Sequence, residues 1–295
     1  MTIELLKGSV DNHIHCCPHI NQRSTNIFQV VEQAERLGMY GIGLMDNFSN
    51  TSGYASLVKK YKPSLKLKVF GGLIMEPPSG GVDYEVVKIA IKYGYNKFEG
   101  AKFISFPTHH TRYVAKQEKR DKNYIKHCFF VPQKKPTYET LKILDLIAKK
   151  NIVLNTGHLS SEETLTLVRF AKIAGIKKIL VPANNFDINT IYRLKRFNVK
   201  FEFSYFFISK ATQIPLTHVD GEKHKIKGTN EERLKNLINK AEPKNVILSS
   251  DCGVSVLPKP HLGFLKFVKK IIKFGFSIKD INYMIKTNPK NLFKI

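Results

Sequence analysis

The sequence predicts an α/β fold: a single (β/α)8 barrel of the TIM type, with residues 1–295 as one domain. Short apolar segments that end in polar residues alternate eight times with stretches of helical periodicity. Such alternation means parallel strands joined by crossover helices. The 295 residues suit a barrel of roughly 250 residues plus insertions. No low-complexity tract or Pro, Gly or Ser linker divides them, and 42 % hydrophobic residues suffice for a large core. An open doubly wound sheet would want a Gly-rich phosphate loop after the first strand. Cys16, Cys17, Pro18 and His19 stand there instead.

The first strand is expected over 9–15. Ser24 or Thr25 is expected to cap a helix with Ile27, Val30, Val31, Ala34 and Leu37 on one face, which Gly38 ends. Strand two covers 41–46, followed by a short helix over 53–61. Strand three covers 67–75, and its helix runs over 83–93 until Gly94 stops it. Strand four covers 101–106, and a polar, basic insertion extends over 108–136. Helix four spans 138–150 and strand five 151–156. Ser160 and Glu163 form a capping-box pattern for helix five, which Gly175 ends. Strand six covers 178–182, helix six 187–197 and strand seven 199–204. A long loop over 205–229 leads to helix seven, which ends at Lys240. Strand eight covers 245–251, and helices over 262–274, 278–286 and 288–294 close the chain. The barrel thus carries an insertion between its fourth strand and helix and a long loop between its seventh. These two segments are expected to form a lid that selects the substrate.

Residues 1–10 lack the apolar run of a signal peptide, and no stretch approaches the length of a membrane span. The four cysteines include adjacent Cys16 and Cys17 and no CxxC pair, so a reduced, cytoplasmic protein is expected. Forty-eight Lys plus Arg stand against 24 Asp plus Glu, a net charge of +24. Such a surface attracts anions. The basic residues are scattered over 116–126, Lys149 and Lys150, 222–227 and 266–273. A nucleic-acid site more often forms one patch. A small, anionic substrate is therefore the first partner expectation, with nucleic acid behind it and no membrane partner. The sequence is compatible with a homo-oligomer.

Active sites of such barrels gather where strands end. The polar residues there are Asp11, His13 and His15 after strand one, Asp46 and Asn47 after strand two, and Glu76 after strand three. Thr108, His109 and His110 follow strand four, His158 strand five, and Asn184 and Asn185 strand six. Glu202 and Ser204 belong to strand seven and Asp251 to strand eight. His13 and His15 are two apart on a strand, so both side chains face one way, roughly 6.6 Å apart along it. Both can lean toward one ion, and imidazole suits Zn, Fe, Mn or Ni. The remaining histidines, His127, His218, His224 and His261, are expected to be exposed loop residues.

Residues 11–15 (Asp-Asn-His-Ile-His), Thr156-Gly157-His158 and 249–253 (Ser-Ser-Asp-Cys-Gly) resemble the strand one, five and eight motifs of the amidohydrolase superfamily. Asn288-Pro289 with Leu292 resembles the start of its closing helix. Leu6-Lys7-Gly8, residues 34–39 and 70–73, Gly80-Gly81 and Pro107-Thr108 resemble an uncharacterised, amidohydrolase-like branch of metal-dependent hydrolases. The likeness spans nearly the whole chain except 109–136 and 206–229. It implies a hydrolase holding one or two divalent ions, zinc first, that attacks an amide, ester, lactone or phosphoester with activated water. It further implies His13, His15, His158 and Asp251 as ligands, with Asp251 also the catalytic general base. Strand six departs from the pattern, because its end has no histidine, and strand two ends in Asp46-Asn47 instead of Lys and His. Asp46, Glu76, His109, His110, Asn184 and Glu202 are the candidates to line the site or replace missing ligands. The departures keep a second reading open, a barrel that binds an anionic ligand without catalysis. A third, a nucleic-acid-associated phosphoesterase, draws on the charge but lacks that class's Ser-Asp-Gly after the HxH.

Overall fold

The computed structural model describes residues 4–96 and 99–295; the first three residues of the stretch read for a signal peptide lie outside it. Strands β1 (Val10–Ile14), β2 (Gly41–Leu44), β3 (Lys68–Ile74), β4 (Phe103–Ser105), β5 (Val153–Asn155), β6 (Ile179–Pro182) and β7 (Lys200–Ser204) pair in chain order, all parallel. A two-stranded hairpin, β8 (Leu216–Thr217) with β9 (Lys223–His224), interrupts the series. The eighth barrel strand, β10 (Val246–Ser249), pairs with β7. The ring closes just beyond it, where Asp251 N donates to the His13 carbonyl at 2.9 Å and His15 N to the Cys252 carbonyl at 2.8 Å. The strands read as near-continuous apolar runs because both of their faces are covered: Ile42, Phe103, Leu154, Val181, Phe201 and Ile247 are fully enclosed. Parallel pairing brings all eight C-terminal ends to one mouth.

The outer layer begins with α1 (Ile27–Arg36). Its cap is Asn26 rather than Ser24 or Thr25. Asn26 Oδ1 accepts from Gln29 N at 2.9 Å while Gln29 Oε1 accepts from Asn26 N at 3.1 Å. The amide of Gln29 thus closes a capping box one residue later than expected. Helix α2 is Ser52–Tyr61, and α3 (Tyr84–Ala90) stops before the expected end at 93. The insertion is not a plain loop. It folds into α4 (Arg112–Gln117), capped by Thr111, and α5 (Lys122–His127), capped by Asp121. Both escape a periodicity reading because α4 buries only Ala115 and α5 buries nothing. Then come α6 (Tyr138–Lys150), α7 (Ser161–Ile173) with the expected Ser160/Glu163 box, α8 (Ile188–Lys195), α9 (Glu231–Ala241) and α10 (Pro260–Lys273). The chain ends in α11 (Ile278–Asn282), one π-helical turn and α12 (Asn288–Phe293). Asn288 Nδ2 donates to the carbonyls of Pro243 at 2.9 Å and Val246 at 2.7 Å, which pins this segment beside β10. Among the described residues, no helix is long and apolar enough to cross a membrane, and all four cysteines are free.

Candidate metal centre

His13 and His15 project from β1 and its end to the same side, as residues two apart on a strand must. Their Nε2 atoms lie 3.2 Å apart. Asp251 enters from the turn after β10, and its Oδ1 is 3.3 Å from each of the two. Two backbone features aim it. Asp251 itself sits at φ +49°, a left-handed conformation that aspartate tolerates better than most residues. Gly253, at φ +137°, passes so close to β1 that an added Cβ would lie 1.5 Å from the His15 carbonyl oxygen. Only glycine allows that approach. Three lone-pair atoms thus form a nearly equilateral triangle with edges of 3.2–3.3 Å. Tetrahedral coordination with bonds of about 2.0–2.1 Å places its ligand atoms about 3.3–3.4 Å apart, so the donor set fits a zinc-like ion in spacing and in chemistry.

Behind the triangle, Glu202 on β7 is 1 % exposed. Its Oε1 accepts from Asn12 Nδ2 at 2.7 Å and lies 3.3 Å from His13 Nδ1. A carboxylate on the far nitrogen fixes the tautomer and the ring angle, leaving Nε2 for the triangle. Asp11 accepts from Ser250 N at 3.0 Å, joining β1 to the turn after β10, and burial pushes its carboxyl up to about 7. Burial lowers the proton affinity of His13, but Asp251 and Glu202 outweigh it and raise His13 to about 9. Against burial, His13 and His15 hold Asp251 below its ordinary value. The cluster therefore attracts positive charge, as a cation site should.

A narrow cavity of about 80 Å3, open at its mouth, lies over the triangle. His158 lines it, although its ring stands outside the group of donor atoms within 4.8 Å of one another. Burial holds His158 down to about 4, and so neutral near pH 7. Gly157 sets its position at φ +67°, since a Cβ there would meet the Pro107 and Phe106 carbonyls at 2.3 and 2.4 Å. Several lining residues were not singled out from sequence. Arg23 and Asn21 come from the loop after β1, and Phe206 and Phe207 follow β7. Arg23 faces the cavity, makes no ion pair among the described residues, and has its Nε buried and unpartnered. His19 also lines the wall, 3.3 Å from Asp46 Oδ1.

The structure sorts the other candidates. Asp46 is turned aside, accepting from Ser49 Oγ at 2.5 Å and Phe48 N at 3.1 Å. Glu76 does not reach the cavity. Its Oε1 accepts from Thr108 N and His109 N, each at 2.6 Å, and its Oε2 from His110 N at 3.0 Å, so it anchors the start of the insertion. His110 turns away and meets the Tyr124 ring edge-on. Asn184 Oδ1 accepts from Ser204 N at 3.0 Å, a structural bond between strand ends. His109 does line the cavity and also touches the His218 ring, with centroids 4.2 Å apart. His218 is 2 % exposed, which overturns its reading as a solvated loop residue: the hairpin folds it inward.

Residues 8–199 match the profile of a family described as a family of unknown function, DUF6282. No curated protein matches the chain in sequence. Among solved structures, an amidohydrolase from Pseudomonas aeruginosa superposes with a TM-score of 0.62 at 9 % identity, covering 99 % of this chain and 97 % of that one. The probable dipeptidase PvdM from the same organism gives 0.62 at 11 % identity over 99 % and 96 %. A mutant PTE-like lactonase from Deinococcus radiodurans gives 0.58 at 11 % over 99 % of each chain. At such identities the likeness is one of fold, the eight-stranded parallel barrel.

Proposed function

Because the chain belongs to DUF6282, a family without an assigned activity, and shares its barrel with a solved amidohydrolase, we propose that it is a metal-dependent hydrolase of a small anionic substrate. The observation that carries this reading is the triangle of His13, His15 and Asp251 donor atoms with edges of 3.2–3.3 Å. These three residues would hold a divalent ion, zinc first. His158, neutral and facing the same cavity, would complete the set or hold a second ion, since a ligand imidazole must be unprotonated. The chemistry such an ion supplies is activation of water near neutral pH and polarisation of a carbonyl or phosphoryl oxygen.

The chain's own residues do the rest. Asp251 presents one oxygen to the triangle, and its carboxylate would take the proton of the attacking water, the role of a general base. Glu202 keeps His13 in register. Arg23 brings a positive charge to the cavity wall, and a carboxylate or phosphate on the substrate would pair with it. Phe206 and Phe207 supply an apolar wall that helps to exclude bulk water. Hydrolysis of a lactone, ester, amide or phosphoester bearing such a group is the reaction class. Four free cysteines suit a reducing compartment, and the cytoplasm is the proposed location.

The test is a panel of anionic lactones, esters, amides and phosphoesters. The protein is purified without chelator, stripped, and restored with zinc, cobalt or manganese. Turnover that disappears on stripping and returns with metal supports the reading. A folded protein that binds a full equivalent yet turns over nothing favours the second reading, anion binding without catalysis. One observation speaks for that alternative: at the end of β6, Pro182 lines the cavity where a ligand would be wanted.

A further inference from the structure

We propose that His109, Glu118 and His218 form a second divalent-metal site, which staples the two lid segments together beside the barrel mouth. One donor atom from each of the three lies within 4.8 Å of the others. His218 Nδ1 is 3.0 Å from Glu118 Oε1, yet that oxygen has no hydrogen-bond partner. The two atoms are close without being aligned as donor and acceptor. Both side chains are almost fully enclosed, Glu118 at 4 % and His218 at 1 % exposure. His218 Nε2 is also buried without a partner, and so is Nε2 of His224, whose ring centroid lies 5.3 Å from that of His218. Buried polar atoms are rarely left unsatisfied, and an ion is one explanation for several in one place. His224 stands beside this group, though outside the donor atoms that lie within 4.8 Å of one another.

The charge balance favours a cation. Arg120 Nη1 lies 3.5 Å from Glu118 Oε2, but the same guanidinium is paired with Asp220. The two carboxylates of Glu118 and Asp220 outnumber the one guanidinium of Arg120 beside the imidazoles. Two imidazoles with a carboxylate suit zinc, cobalt or nickel. His109 and Glu118 come from the insertion after β4, and His218 and His224 from the hairpin after β7. An ion here ties together segments about a hundred residues apart, and such cross-links restrict a chain most when the loop they close is long. None of the barrel-mouth donors takes part, so the site is independent of the proposed hydrolytic centre. Through His109, which lines the main cavity, the staple would set the cavity's lid-side wall.

The test uses the full chain with zinc chloride as the probe. The double variant His13→Ala/His15→Ala removes the barrel-mouth donors. After exhaustive dialysis it should keep one equivalent of zinc. The pair Glu118→Gln/His218→Ala in the otherwise native chain should lose one equivalent relative to the parent. Zinc-edge anomalous diffraction of the unaltered protein provides a check that needs no variant, with a peak expected among His109, Glu118 and His218. The proposal is overturned if the first variant, folded by circular dichroism, keeps no zinc, if the second loses none, or if a zinc-soaked crystal shows no peak there. A peak at the staple with none at His13 and His15 would overturn the hydrolytic reading alone.

Discussion

At the barrel mouth, His13 and His15 stand on a strand end paired on both sides, and Asp251 follows the strand that closes the ring. His109, Glu118 and His218 instead hang from an insertion and a hairpin whose helices and strands bury almost nothing of their own. The first cluster is preorganised by the barrel and keeps donor spacings of 3.2–3.3 Å without help. The second depends on its own contacts: Arg120 to Asp220, His218 to Glu118, and Glu76 anchoring the insertion's first residues. The proposed hydrolytic centre thus sits on backbone that the barrel itself pairs, as fixed catalytic geometry requires, and the proposed staple does not.

Substitutions at the mouth should therefore be the costliest. Asp251→Asn should lower turnover by about 10²–10⁴-fold with an unchanged circular dichroism spectrum. Activity near that of the parent would remove Asp251 from the chemistry. Gly253→Ala should follow, destabilising the barrel by about 3–5 kcal/mol in urea unfolding, because the methyl would lie 1.5 Å from the His15 carbonyl oxygen. A shift below about 1 kcal/mol would mean that the closing turn is softer than the geometry says.

Glu202→Gln keeps the volume but weakens the acceptor on His13. Zinc affinity at the mouth should fall by about 10–100-fold, read by competition with a chromophoric chelator, while zinc held by the staple stays. An equal loss at both sites would erase the distinction between them. The last prediction, confined to acid conditions, concerns His19, in the loop after β1 and outside both clusters. Burial, with Arg23 and His15, lowers its pKa from 6.5 to about 3. The unfolded chain therefore takes up a proton that the native one refuses. Stability is unaffected above pH 6.5 and falls between pH 6.5 and about 3, by up to about 1.4 kcal/mol per pH unit. His19→Gln should flatten that slope in acid unfolding curves, and an unaltered slope would assign it to other groups.

The contrast also explains what the sequence disclosed. Eight strands were legible because enclosure on both faces forces continuous apolar runs, and their ends fall within two residues of expectation. His13 and His15 were legible because period-two spacing on a strand settles direction. Asp251 and His158 came from their places after strands eight and five together with the family likeness. Glu202 could be named but not assigned, since its partner Asn12 lies 190 residues away. The staple was hidden for the same reason. Glu118 and His218 are 100 residues apart, and no local period reports that a hairpin turns inward. Arg23 carried no signal at all, because a lone arginine in a loop shows its role only when its neighbours are seen.

Anomalous diffraction at the edges of zinc and its neighbours, on crystals grown without chelator, tests the central claim most directly. A strong peak about 2.0–2.2 Å from His13 Nε2, His15 Nε2 and Asp251 Oδ1 is the predicted result. Those three atoms converged as described around a site that stays empty when crystals are soaked in zinc would contradict it.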